Sequence, residues 1–390
     1  MRDAYLIGAG QSDFGAFPDK SYLSLFRTAF ENACESVSKE FDPVNVDEAY
    51  VGNLSIGGRQ IGLPGPAATE HVGLHAIPSV RIENACAASG YGVRQAVQAV
   101  KSGMADVVLA GGTEVMNDLG DDRVRYWLGV SGEMEWERMA GTTFSGVFAQ
   151  IASAHMAEYG TTREQLSHVA VKSHENGAKN PHAHLGHECS LEDAESAPTV
   201  ADPLTLYHCC PMSDGAAVVL VASEEVIDEY DDDPIRIAGV GAASDGVGLF
   251  ERNSYTAIPA SETAVNQAYE DAGMGPDDID FAEVHDCFSI AEIVAYEDLG
   301  FCERGEGGVF AERGATKLDG ELPVNTSGGL KSKGHPIGAT GASQVVEVFE
   351  QLHGRAGERQ VENSQIALTH NIGGSGGAAV VHIFEKEGAA

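Results

Sequence analysis

Two textures alternate along the chain. Short unbroken apolar runs, bounded by glycine or acidic residues, predict buried strands, and apolar positions three and four apart predict helices between them. Ala4 to Gly8 is the first buried run, and Gly8-Ala9-Gly10 behind it predicts a turn. Leu23, Phe26, Ala29, Phe30, Ala33 and Val37 then recur at helical spacing. Val46 to Val51 reads as a strand after an acidic turn, and Ile77 to Ile82 as an extended run. A helix follows on Val93, Ala96, Val97 and Val100, then a buried strand from Asp106 to Ala110, closed by Gly111-Gly112.

From about Met116 to Pro211 the pattern changes. Trp127, Trp136, methionines and mixed charges appear, then an amphipathic helix from Phe148 to Tyr159. Thr161 or Thr162 is placed to cap the next helix, with Glu164 in its first turn. Buried strands resume at Asp214 to Val221, and the second half then repeats the first. Residues 46–52 match 279–285, 107–112 match 366–371, and 215–219 match 377–381. This predicts an α/β protein of two repeated halves with two central sheets. Residues 1–116 and 212–235 form the first half, 117–211 an inserted loop domain, and 236–390 the second half.

Charge narrows the partners. The chain has 24 Lys and Arg against 59 Asp and Glu, a formal net charge of −35, with no basic face for phosphate backbones. Nucleic acid is therefore not expected as a partner. An acidic, lysine-poor surface over a normal apolar core suits a high-salt cytoplasm, where screening blunts self-repulsion. Seven cysteines, an odd number without framework spacing, point to a reducing compartment. The start, Met1-Arg2-Asp3-Ala4-Tyr5-Leu6-Ile7-Gly8, lacks a long apolar stretch, and no run is long enough to span a membrane. A soluble, cytoplasmic protein is expected.

Chemistry gathers where predicted strands end. Cys86 lies between an extended run and a helix, among the small residues Ala87, Ala88, Ser89 and Gly90. That placement sets its sulfur at a helix N-terminus, where backbone N–H groups favour a thiolate. His285-Asp286-Cys287-Phe288 follows the strand from Ile279. Gly334-His335-Pro336-Ile337-Gly338-Ala339-Thr340-Gly341 stands behind Asn325-Thr326-Ser327-Gly328-Gly329, and His370-Asn371-Ile372-Gly373 closes a later strand. Loops at strand ends can converge on one pocket. Three other patterns carry less. Gly8-Ala9-Gly10 lacks the third glycine of a dinucleotide loop, and the last glycine-rich loop lacks the Lys-Ser/Thr of a phosphate loop. His182, His184 and His187 sit in a loop of small residues without convincing metal spacing.

Taken in order, N-A-C-A-A-S-G, H-D-C-F, N-T-S-G-G, G-H-P-I-G-A-T-G and H-N-I-G-G-S-G-G resemble the thiolase superfamily over nearly the whole chain. The resemblance is greatest to the sterol-carrier-protein type and to archaeal acetyl-CoA acetyltransferases. It implies a thiolase fold in α-β-α-β-α layers, and an acetyl-CoA C-acyltransferase of lipid metabolism such as the mevalonate pathway. The commoner pattern has N-E-A-F in place of H-D-C-F, and a cysteine where Asn371 stands.

The resemblance implies Cys86 as the acyl holder, His335 as its base and Cys287 as the acid–base for the α-proton. His285 and His335 donate to the enolate or thioester oxygen, and the N–H groups of Cys86 and Gly373 form a second oxyanion hole. His370 and Asn371 support the loop. Coenzyme A thioesters are the substrates, with no resident cofactor or metal. A homodimer or tetramer and a small OB-fold, zinc-ribbon partner are implied, and no carrier domain after the last strand. The alternatives are a decarboxylating ketoacyl synthase, built on Cys86, His285 and His335 alone, or a non-catalytic acyl-CoA-binding scaffold subunit.

Overall fold

The computed structural model describes residues 2–58 and 61–386. The first half runs β1 (Ala4–Gln11), α1 (Tyr22–Ser36), β2 (Glu48–Gly52), α2 (Pro64–His71), β3 (Ser79–Ile82), α3 (Ala88–Lys101) and β4 (Val107–Glu114). The chain then leaves the repeat for α4 (Asp121–Gly129), α5 (Phe144–Tyr159), α6 (Arg163–Gly177), α7 (Leu191–Ser196) and the short strands β5 (Thr199–Ala201) and β6 (Leu204–Thr205), and returns as β7 (Gly215–Ser223). The second half is β8 (Ile235–Ser244), α8 (Pro259–Ala272), β9 (Phe281–Glu283), α9 (Ser289–Asp298), α10 (Gly307–Glu312), α11 (Gly329–Ser332), α12 (Thr340–Leu352), β10 (Ile366–Gly373) and β11 (Ala378–Lys386).

The strands order as β3-β2-β4-β7-β1-β8-β11-β10-β9. Outward from β1 and β8 the halves match: β7, β4 and β2 on one side correspond to β11, β10 and β9 on the other. Even the outermost position is echoed, because Val324 bridges Ala282 in parallel much as β3 pairs with β2. The matches read from the sequence fall on these corresponding strands. The two expected sheets are joined, however, into one of nine strands. The join is short, Tyr5 against Arg236 and Leu6 against Ile235, and it covers backbone edges that would otherwise lie open.

Two details recur in both halves. Asp47 Oδ2 accepts from the N–H groups of Asp106 and Val107, at 2.8 and 3.0 Å. Asp280 Oδ2 accepts likewise from Gln365 and Ile366, at 2.7 and 2.9 Å. Gly8-Ala9-Gly10 is not a turn; it continues β1, and its glycines let α1 lie against the strand. A Cβ on Gly10 would come 2.3 Å from the backbone of Ala33, and one on Gly241 in β8 would come 1.9 Å from Ala264 of α8. A helix packed that close needs glycine beneath it.

The layers follow from strand alternation. On β7, Ala217, Val219 and Val221 face a core shared with α3 and α12, while Ala216, Val218, Leu220 and Ala222 face α1. Ala379, Val381 and Ile383 of β11 share a third core with α8. The outcome is α1, strands, α3 with α12, strands, α8. The inserted segment packs on the second half, with α6 against α9, α10 and α11. Its α5 starts at Phe144, one turn earlier than the periodicity predicts, because Thr143 Oγ1 accepts from Gly146 N–H. Thr162 caps α6 in a reciprocal box with Gln165, worth ~1 kcal/mol. Among the described residues no helix is long and apolar enough to cross a membrane.

Candidate active site

A cavity of about 430 Å³ opens where the loops of both halves meet the inserted segment. Cys86, His335, Cys287, Cys209, Cys210 and Gly374 line it, with Met116, Leu128, Phe144, Phe148, Phe288 and Ile337 as apolar wall. Phe148 and Phe288 stack at 4.6 Å between ring centres. The cavity's fixed positive charges come from Arg125 and Arg138.

The turn between β3 and α3 presents Cys86. Ala85 adopts a left-handed backbone (φ 50°), a strained conformation for a residue with a side chain. Glu83 steadies it by accepting from Ala85 N–H at 2.8 Å. One predicted property is reversed. Burial pushes the Cys86 thiol up to about 12, although the N–H groups of Gly374 and of Cys86 itself pull the other way. Desolvation outweighs the helix terminus, so the sulfur rests as a thiol and must lose its proton during reaction.

His335 is built to take that proton. The hydroxyl of Thr340 donates to the Pro336 carbonyl at 3.0 Å, so its oxygen accepts from His335 Nδ1–H at 2.7 Å. Nε2 then carries the lone pair. Burial lowers the imidazole pKa to about 3, which keeps the ring neutral. Its backbone N–H is held by Ser213 Oγ at 3.1 Å. A ring nitrogen of His335, one of His285 and the Cys86 sulfur lie within 4.8 Å of one another.

The loop of His285 and Cys287 follows β9 and is held by buried polar groups. Asn325 Oδ1 accepts from Val284 N–H at 2.8 Å, and Glu283 accepts from the N–H and hydroxyl of Ser327. The N-T-S-G-G motif thus braces the loop. Asp286 Oδ1 accepts from Leu330 N–H at 2.6 Å, with Lys331 Nζ 3.5 Å from Oδ2, both residues buried. Burial pushes the Cys287 thiol well above its ordinary value, reinforced by Cys210 and Cys86.

The end of the inserted segment ties the two loops together. Cys210 N–H donates to Cys287 O at 3.0 Å, and Met212 bridges His335. Gly373 is the last residue of β10; its neighbour Gly374 lines the cavity, and the Gly374 N–H pulls the Cys86 thiol pKa down as a hydrogen-bond donor. His370 lies outside the lining and pairs with Ser261 at 2.8 Å. Asn371 donates to both Cys86 O and His285 Nδ1. His182 pairs with Asp13 and His184 with Ser213, while His187 lends its carbonyl to His174, so that trio does not converge. Sequence reading missed Arg125, Arg138, Ser213 and the role of Thr340. Thr340 stood inside a recognised motif; the arginines were marked only by the rarity of basic residues.

The family model "Thiolase, N-terminal domain" matches residues 4–225, and "Thiolase C-terminal domain-like" matches residues 241–386. An acetyl-CoA acetyltransferase of Methanothermobacter thermautotrophicus is 45% identical over 388 residues, 99% of this chain and 100% of its own. Sterol carrier protein 2 of Rattus norvegicus is 34% identical, covering 97% of this chain and 71% of its own length. The solved structure described as "Ltp2-ChsH2(DUF35) aldolase" superposes with a TM-score of 0.84 at 26% identity, over 99% of this chain and 98% of that one.

Proposed function

The chain belongs to the thiolase family, and from that premise we propose that it is an acetyl-CoA C-acyltransferase working through acyl-Cys86. It condenses two acyl-CoA thioesters, or thiolyses a 3-ketoacyl-CoA in reverse. The observation that carries this is one cavity holding two thiols, Cys86 and Cys287, beside a neutral His335 with its Nε2 lone pair free.

His335 Nε2 takes the Cys86 proton as the sulfur attacks the thioester carbonyl. The oxyanion is met by the N–H groups of Cys86 and Gly374, and His335 returns the proton to the departing coenzyme A thiolate. A second acyl-CoA then binds. Cys287, as thiolate, removes its α-proton, and His285 Nε2–H donates to the enolate oxygen; the donation expected from His335 is not made, because its one N–H goes to Thr340. The enolate carbon attacks the acyl-Cys86 carbonyl, the C–S bond breaks, and Cys86 leaves as thiolate, which takes the α-proton from Cys287 and restores the Cys287 thiolate. Every proton is accounted for by side chains and substrate, so the reaction as written requires no resident cofactor. Arg125 and Arg138 would meet the phosphates of coenzyme A, in a chain otherwise poor in positive charge.

A decarboxylating ketoacyl synthase would use Cys86 and the two histidines and would leave Cys287 without a task. We read the assembly as a homodimer or tetramer. The small OB-fold, zinc-ribbon partner is supported by the neighbour whose description joins Ltp2 with ChsH2(DUF35). The net charge of −35 supports a salty cytoplasm, and mevalonate synthesis would consume the condensation product. The test is incubation with acetyl-CoA followed by peptide mass analysis, then thiolysis of 3-ketoacyl-CoA of graded chain length at high and low salt. An acetyl group on the Cys86 peptide, thiolysis, and condensation of acetyl-CoA without malonyl thioester are expected. No adduct, or strict malonyl dependence, would overturn the reading.

A further inference from the structure

We propose that Asn371 is a positioning residue that fixes the tautomer of His285. Its amide holds the imidazole as the Nε2–H form, which makes His285 a hydrogen-bond donor and keeps the Cys86, His285 and His335 cluster from capturing a metal ion.

The argument starts from the amide. Asn371 Nδ2 lies 3.1 Å from the carbonyl oxygen of Cys86 and 3.0 Å from His285 Nδ1. A carbonyl oxygen only accepts, so the NH2 end must face it; the flipped amide would set two oxygens against each other. Glycines make room for the other end. A Cβ on Gly90 or Gly341 would stand 2.7 or 2.5 Å from Asn371 Oδ1. With the amide so oriented, its two hydrogens go to Cys86 O and to His285 Nδ1. A ring nitrogen that accepts a hydrogen bond bears no proton itself, so the proton of neutral His285 is on Nε2. The ring is fully buried, and burial with neighbouring His335 and His370 disfavours its charged form. Its Nε2 has no protein partner among the described residues.

The two histidines therefore rest in opposite tautomers, with ring centres 5.1 Å apart. His335 is held as Nδ1–H by Thr340 and presents a base; His285 is held as Nε2–H by Asn371 and presents a donor. The same lock bears on metals. Cys86, His285 and His335 sit within 4.8 Å, a set of ligand types that zinc or cobalt would accept. Binding through His285 Nε2 would need that nitrogen stripped of its proton, and Nδ1–H would then point at the amide hydrogens of Asn371. Binding through Nδ1 is blocked by the amide itself. At this position a carboxylate would do the reverse, accepting from Nδ1–H and favouring metal at Nε2.

The donor role rests on the proposed function; the tautomer does not, and the experiment separates them. The enzyme is labelled with 15N-histidine, and the His285 signals are assigned by their loss in His285→Asn. Wild type should show the Nε2–H pattern, and Asn371→Asp the Nδ1–H pattern. Titration with Co2+, followed by its visible absorption, should show Asn371→Asp binding at least ~10-fold tighter than wild type, and Cys86→Ala should abolish the gain. Losing an oxyanion donor should lower kcat for condensation by ~100–1,000-fold with little change in KM. Asn371→Ala should lose activity without gaining metal. A wild-type Nδ1–H pattern, or an unchanged tautomer and Co2+ affinity in Asn371→Asp, would overturn the proposal. An inverted tautomer with wild-type kcat would uphold the lock and remove His285 from the reaction. If neither variant folds, the wild-type spectrum decides.

Discussion

Replacing Cys287 by alanine separates the two halves of the proposed reaction. The change removes one sulfur from a residue 6% exposed on the cavity wall. The loss of packing should cost ~1–2 kcal/mol, at the low end for shortening a buried side chain. The fold should hold, because the loop is anchored by Asn325, Glu283 and Asp286 rather than by the thiol. Acylation should survive as well: Cys86, His335, Thr340 and Gly374 make no use of Cys287. What disappears is the group that moves the α-proton. General acid–base assistance is worth ~100–10,000-fold, or ~2.7–5.4 kcal/mol in the barrier. Three measurements follow. Intact mass after acetyl-CoA should show full acetylation, condensation should fall by that factor, and exchange of acetyl α-protons with deuterated solvent should fall in parallel. Condensation at near wild-type rate would refute the assignment and send the proton elsewhere.

The same thiol predicts a pH dependence. Burial and its neighbours raise the Cys287 pKa, so at neutral pH it is protonated; condensation needs the thiolate and should climb up to ~10-fold per pH unit above 7, and because the overall reaction releases no proton there, kcat/KM for thiolysis should climb in parallel. His335, lowered to about 3, is already a base at pH 5, so acylation measured between pH 5 and 7 should show no acidic fall due to this ring. Thr340→Val removes the acceptor for His335 Nδ1–H, and acylation should slow ~10–100-fold with KM little changed. Arg125→Ala or Arg138→Ala should raise KM for acetyl-CoA ~10–100-fold, but not for a short acyl thioester lacking phosphates, which distinguishes charge recognition from a damaged cavity. Lys331→Met leaves Asp286 buried without its cation and should cost ~3–5 kcal/mol, read as a fall in Tm.

Period and motif carried much of the architecture. Strands buried on both faces are apolar along their length, and the matching runs at 107–112 and 366–371 announced the two halves before any fold was known. The turn presenting Cys86, the H-D-C-F loop and the G-H-P-I-G-A-T-G loop were visible because small residues and prolines are demanded locally by backbone geometry. Other properties arise only when distant segments meet. Gly10 reads as a turn residue until α1 is laid across it, and no local rule distinguishes a glycine that bends the chain from one that admits a helix. The two half-sheets join through two residue pairs at Tyr5 and Leu6, too short a contact to mark the sequence. Cys86 lies before a helix, which by itself favours a thiolate; burial by the second half and the inserted segment reverses the sign. Asn371 looks like a lost cysteine in the sequence, yet its amide reaches Cys86 and His285, each more than 80 residues away along the chain. Local pattern marked which residues could carry chemistry and at which strand ends they stand. Their protonation and tautomers follow from desolvation and hydrogen-bond direction, which depend on neighbours that the chain brings together from far apart.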